Sequence, residues 1–208
     1  MVHRTRNLSP SAPQVGDRTG PGGGPIIWRA LAWAQRELHV RRDPVGFARS
    51  LGVRVGDRAW LIATSVATWG SEPFLITLGD DVTVASGVRF INHDGTVLLF
   101  RREHPDIDLV GPITVGDSVF IGLGATIMPG VTIGGDCVIG AGAIVTRDVP
   151  AGSIVVGQPA RVVSSLDAWW QKNQGRFTHV HGLPEAERRR MLLKHFGLAD
   201  DALARTRR

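Results

Sequence analysis

Between residues 111 and 145 aliphatic side chains recur at every sixth position, at Val115, Ile121, Ile127, Ile133 and Ile139. A smaller apolar residue stands two places before each, at Ile113, Val119, Ala125, Val131 and Cys137. An α-helix repeats near every 3.6 residues and a lone strand every two, so neither produces this period. A parallel β-helix of hexapeptide repeats does: each hexapeptide supplies a short strand and a corner, and three of them, about 18 residues, close one turn. Stacked turns then bury a continuous apolar column that no single turn could bury. Four of the five aliphatic residues are followed by glycine, which suits a corner where the backbone turns sharply and a Cβ is costly. A sandwich of short strands would show two-residue alternation without one fixed period.

The same frame runs upstream through Leu78, Val84 and Phe90, preceded at minus two by Ile76, Val82 and Val88. Earlier still it passes through Val55, Leu61 and Ala67, with Val53, Ala59 and Ser65 as the smaller positions. The register breaks at 68–75 and again between Phe90 and Val115. Both breaks predict loops that leave the coil, and insertions of this kind often build a solenoid's binding site.

The flanks carry a different pattern. Residues 1–25 are rich in Pro, Gly and Ser without an apolar core, which predicts a disordered tail. Their GPGGGP lacks the Gly-Lys-Ser/Thr that completes a phosphate loop. From Ile26 to Leu38 the apolar residues fall on one helical face, and Asp43-Pro44 predicts a second short helix with Asp as its cap. Residues 26–50 are thus expected to form a helical cap over the open end of the coil, with Ile26, Ile27, Trp28 and Trp33 as an alternative interfacial anchor at a membrane surface. Beyond residue 165 the repeat stops. Leu166–Asn173 and Pro184–Phe196 predict helices, the second with early glutamates, late Lys194 and His195, and Gly197 just past its end. His179 and His181 have nothing nearby to complete a metal-ligand set.

Composition narrows the classes of partner. The formal charge of +5 comes almost wholly from arginine, Lys172 and Lys194 being the only lysines, and it points toward anionic partners such as a phosphorylated cofactor. The arginines are scattered and no nucleic-acid motif accompanies them, so nucleic acid is not expected. No run reaches the roughly 18 apolar residues of a membrane span, and no secretory signal is evident, which leads to the expectation of a cytoplasmic protein. Cys137, the only cysteine, falls on a small inward position and reads as core filler.

One residue stands out chemically. In RFINHDG, Val88 and Phe90 point inward, so the next inward positions are 94 and 96 and His93 faces out. Asp94 and Gly95 abandon the apolar column here. An outward histidine at the root of a long loop is a candidate general base; a solvated surface histidine is the competing reading. The loop supplies Asp94, Arg101, Arg102, Glu103 and His104 as candidate contacts to an acceptor, and Trp69 and Phe120 could stack on a sugar face or fill a seam between subunits. Glu72, Asp94 and a backbone carbonyl are alternative partners for the second nitrogen of His93.

Four stretches together resemble a known family: DPVGFARSLGVRVGD, SEPFLITLGDDVTVASGVRFINHDG, the run from GPITVGD to GQPARVV, and the tail ending EAERRRMLLKHFG. The family is the hexapeptide-repeat acyltransferases, in particular the branch that O-acetylates bacterial surface polysaccharides, alongside the maltose and galactoside acetyltransferases. The resemblance implies a left-handed parallel β-helix of roughly five coils across 51–165, with an inserted loop at 92–112, an N-terminal helical cap and a C-terminal helical tail at 166–208. It implies a homotrimer with acyl-CoA in the groove between adjacent coils, and His93 as the base that takes a proton from a sugar or other small-molecule acceptor attacking acetyl-CoA. It further implies that Leu123 and Ala141 meet the pantetheine arm, Thr146 and Arg147 the nucleotide end, and Arg161 the CoA phosphates. The family's pair at 146–147 is commonly Thr-Lys; Arg147 departs from it and keeps the charge. Asp94 and Phe120 are the candidate acceptor contacts, and no metal is expected.

Competing readings are an N-acetyltransferase on an amino sugar or aminated small molecule, a non-catalytic trimeric scaffold, and a zinc carbonic anhydrase. The last needs several histidines converging between coils, and residues 113–165 contain none.

Overall fold

The computed structural model of the chain describes residue 40 and residues 42–198. The tail at 1–25 and the helix expected at 26–38 lie outside the described residues, as does the interfacial anchor placed there. The first described helix, α1 (Pro44–Ser50), starts as Asp43 predicts: its carboxylate accepts the Gly46 N–H at 2.8 Å. Phe47 and Ala48 turn into the core, and Arg49 caps the neighbouring turn by donating to the Val55 and Gly56 carbonyls.

Short strands follow: β1 (Arg54–Val55), β2 (Trp60–Leu61), β3 (Ile76–Leu78), β4 (Thr83–Val84) and β5 (Arg89–Phe90) before the long loop. After it come β6 (Ile113–Val115), β7 (Phe120–Ile121), β8 (Thr126–Ile127), β9 (Thr132–Ile133), β10 (Val138–Ile139), β11 (Ile144–Val145), β12 (Ser153–Val156) and β13 (Arg161–Ser165). They form three sheets, ordered β1-β3-β6-β9, β2-β4-β7-β10-β12-β13 and β5-β8-β11. Every pairing is parallel except β12 with β13. Successive strands in sequence move from sheet to sheet, so the chain winds as a coil of triangular section.

Register measures the insertions. Thr114 pairs with Thr132 and Phe120 with Val138, three hexapeptides apart. One turn earlier the step is 37 residues, and at the first turn it is 23, against about 18 for an uninterrupted turn. The excess lies at the two predicted breaks.

Inside, the side chains stack in columns: Leu78, Val115 and Ile133; Val84, Ile121, Ile139 and Val155; Phe90, Ile127 and Val145, none more than 2 % exposed. Burying each such aliphatic side chain contributes roughly 1.5–3 kcal/mol. Cys137 sits in the small-residue column, 1 % exposed, as the spacing predicts. The glycines that follow the aliphatic residues have a different reason from the sharp corner expected. A Cβ on Gly122 would lie 2.7 Å from the Ala141 nitrogen, and one on Gly116 2.7 Å from the Gly135 nitrogen. They are required by close approach of the next turn, while the left-handed conformation falls at Gly124 and Gly142, both with φ of 67°.

The frame fails in one place. Ala67 is exposed and Ser65 only half-buried. Residues Val66–Trp69 form a 3-10 turn instead, and Trp69, 0 % exposed, stacks on Phe90 at 5.5 Å with planes 3° apart. An indole fills a column that alanine at position 67 would leave hollow. Trp69 is therefore core, and its expected role on a sugar face is corrected.

The C-terminal helices are α2 (Leu166–Asn173), with Ser165 capping the Ala168 N–H, and α3 (Glu185–Phe196), closed by left-handed Gly197. Among the described residues no helix is long and apolar enough to cross a membrane.

Candidate active site

After β5 the next corner carries Ile91, Asn92 and His93, and the chain leaves the coil. The excursion closes on itself. His93 bridges Val110 in antiparallel fashion, Asp94 N–H donates to Leu109 O at 2.8 Å, and Gly111 N–H donates to Asn92 O at 2.9 Å. An insertion in a solenoid must return to its point of departure, so residues 108–110 end beside His93.

The His93 side chain is 28 % exposed and lies between two carboxylates. Its Nδ1 is 3.5 Å from Glu72 Oε1 and 3.5 Å from Ser71 Oγ, while Nε2 is 3.2 Å from Asp108 Oδ1. Of the three partners weighed from sequence for its second nitrogen, Glu72 is the one within reach. Asp94 turns away: its Oδ1 accepts the Thr96 hydroxyl at 2.7 Å and the Thr96 N–H at 2.8 Å, starting the 3-10 turn Gly95–Leu99. The Thr96 hydroxyl and amide together hold the Asp94 carboxyl below its ordinary range.

Glu72 is itself anchored. Asn92, 0 % exposed, donates from Nδ2 to Glu72 O at 2.5 Å and accepts the Glu72 N–H at 3.3 Å. Ser71 Oγ donates to Glu72 Oε2 at 2.7 Å. Gly70, with φ of 67°, admits this arrangement, because a Cβ there would lie 2.6 Å from Asn92 Oδ1. The 68–75 break thus supplies a core indole and, three residues later, the partner of His93. Asp108 is held differently: it is 51 % exposed and pairs with Arg101 of the same loop.

Asn92, Ser71 and Asp108 were not singled out from sequence. For Asp108 the signal was present, since the return of any insertion brings its last residues to its root. Asn92 sits on the parity of an inward position that the column no longer fills with an apolar residue.

The third sheet fixes where the other candidates stand. Phe90 aligns with Ile127 and Val145, so the corner bearing Asn92 and His93 also bears Thr146 and Arg147, two turns on. At about 4.8 Å per strand step that is roughly 10 Å. Arg147 and Arg161 line one shallow depression of about 150 Å³, walled by Val149, Val155 and Val162. Leu123 and Ala141 are exposed on a different corner, stacked one turn apart, with Gly142 N–H donating to Leu123 O at 2.8 Å. Phe120 is 45 % exposed on the sheet opposite the His93 corner. A single chain therefore sets His93, Thr146 and Arg147 along one edge; Arg161 pairs with Val156 above the corner that carries Ala141, and neither that corner nor Phe120 lies beside His93. Among the described residues no group of three or more His, Cys, Asp or Glu side chains is placed to hold a metal ion.

Residues 112–147 match the hexapeptide repeat of succinyl-transferase. The chain is 46 % identical over 148 residues to Protein CapG of Staphylococcus aureus, covering 71 % of this chain and 86 % of that protein. It is 32 % identical over 130 residues to galactoside O-acetyltransferase of Escherichia coli K12, covering 54 % and 64 %. Its fold is like that of a hexapeptide-repeat-containing acetyltransferase from Vibrio cholerae, solved with acetyl coenzyme A, with a TM-score of 0.51, 24 % identity, and coverage of 70 % and 92 %. The chain belongs to the hexapeptide-repeat acetyltransferase family.

Proposed function

We propose that this chain is an acetyl-CoA-dependent O-acetyltransferase acting on a hydroxyl of a sugar or polysaccharide precursor, by direct transfer with His93 as general base. The observation that carries the reading is the His93 ring itself. It stands partly open at a loop root with Nδ1 toward Glu72, and Glu72 is pinned at its main chain by buried Asn92. A carboxylate on Nδ1 holds the proton there and leaves Nε2 to accept one from a hydroxyl, the division of labour seen in His-carboxylate pairs generally. The relative that acetylates galactosides and the neighbour solved with acetyl coenzyme A support the substrate pair.

The residues present suit an acyl-CoA. Arg147 and Arg161 offer two guanidinium groups at one depression for phosphate oxygens, and the exposed residues Leu123 and Ala141, stacked one turn apart, offer a surface for an extended arm. The bound thioester would supply an activated acyl group. No covalent nucleophile is needed, and Cys137 is buried in the column. Because the His93 edge and the Leu123–Ala141 corner lie apart in one chain, a complete site needs a second copy, which supports a homotrimer of left-handed coils.

The test is the His93→Ala variant, assayed by thiol release with a panel of hydroxyl and amino sugars after its oligomeric state has been verified. Turnover falls on the order of 100-fold or more while acetyl-CoA binding by calorimetry is kept. Full turnover in an intact oligomer would remove His93 from the mechanism, and faster transfer to amino sugars than to hydroxyl sugars would reassign the acceptor.

A further inference from the structure

Both ring nitrogens of His93 face carboxylates, and the two carboxylates are not equivalent. Glu72 is 23 % exposed and held by Asn92 and Ser71; Asp108 is 51 % exposed, sits on the returning arm of the inserted loop, and is tied to Arg101 of that loop. A carboxylate offers lone pairs alone, so its 3.2 Å approach to Nε2 is attractive only while Nε2 carries a proton. A nitrogen in that state cannot take a proton from an attacking oxygen. The position the acceptor hydroxyl must occupy is therefore filled by the protein.

We propose that Asp108 is a cap on the base: it covers His93 Nε2 in the absence of acceptor, so that water is not activated against the bound thioester, and it yields that position when an acceptor hydroxyl enters. The proposal rests on His93 being the base. Other charged groups of the loop do not fill the same place. Asp94 is engaged with Thr96, while Arg102, Glu103, His104 and Asp106 are exposed. Arg101 keeps the Asp108 carboxylate aligned with the ring, its Nε buried without a partner and its terminal nitrogen on Asp108 Oδ1. Exclusion of side reactions with water is a general requirement of sites that handle activated acyl groups. Here one loop carboxylate meets it without a closing lid.

The reaction at risk is simple hydrolysis. A water oxygen bonds to the acyl carbon as its proton passes to Nε2; the carbon–sulfur bond breaks, the CoA thiolate takes up a proton, and acetate and free thiol leave. The experiment measures that thiol release from acetyl-CoA with no acceptor present, on the full chain. Asp108→Ala raises the acceptor-independent rate by about fivefold or more over the wild type, with the melting temperature unchanged. The rise disappears when His93→Ala is added. Asp106→Ala, an exposed change in the same loop, stays at the wild-type rate. A merely structural role for Asp108 would lower hydrolysis along with transfer. Hydrolysis by Asp108→Ala no faster than wild type overturns the cap while leaving the base assignment to the His93→Ala transfer assay. An equal rise in Asp106→Ala also overturns it. A rise that survives in the Asp108→Ala, His93→Ala double variant also overturns the cap, since the hydrolysis then does not pass through His93, and the base assignment is again left to the transfer assay.

Discussion

Asn92 is the residue on which the His93 partner depends, and its replacement can be followed through to two separate readouts. Asn92→Ala removes the Nδ2 donor to Glu72 O and the Oδ1 acceptor of the Glu72 N–H, in a position 0 % exposed. Each buried polar group left unpaired costs about 1–3 kcal/mol, so the pair destabilises the fold by roughly 2–6 kcal/mol. Urea unfolding measures this term. The second readout is catalytic: with its main chain released, the Glu72 carboxylate no longer holds Nδ1, and kcat falls about 10- to 100-fold with little change in the KM for acetyl-CoA. The decisive comparison is made in the Glu72→Gln background, where the carboxylate is already gone. If Asn92 acts through Glu72, the kcat losses are not additive, and Asn92→Ala costs Glu72→Gln little more. Additive losses would refute the coupling, and a stability change under about 1 kcal/mol would refute the hydrogen-bond reasoning beneath it.

Arg147→Ala and Arg161→Ala each raise the KM for acetyl-CoA by about tenfold, a charge-assisted hydrogen bond's worth, and leave that for the acceptor nearly unchanged; equal effects on both substrates would remove them from the cofactor site. Gly122→Ala forces a Cβ to within 2.7 Å of the Ala141 nitrogen and 2.8 Å of Ile139 O. It destabilises by roughly 1–3 kcal/mol in urea melts, and a neutral result would show that the turns can part. Burial pushes the Cys137 thiol above its ordinary range, and its Sγ lies 3.1 Å from Pro150 O. The thiol should therefore react with an aromatic disulfide reagent only as fast as the chain unfolds; rapid labelling of folded protein would contradict the core placement.

What the chain by itself determined is whatever follows from a local period. A six-residue spacing specifies which side chains stack, because each turn repeats the one below, and the columns through Ile121, Ile127 and Ile133 follow from counting alone. The helix start at Asp43-Pro44 was legible for the same reason, since a cap acts within three residues. His93 stood out because the period failed beside it. Counting could not foresee Trp69, whose indole enters the column from a 3-10 turn outside the frame, nor the reason for the glycines, which lies in the neighbouring turn's backbone. Asn92, Glu72 and Asp108 meet at His93 only because one break ends and another insertion returns at the same corner. That convergence spans contacts between residues far apart in the chain, Glu72 with Asn92 and Asp108 with His93, and distance along the chain carries no orientation until the coil is wound. The separation of the Leu123–Ala141 corner from the His93 edge is likewise a property of the triangular section, which three sheets decide and no single hexapeptide contains.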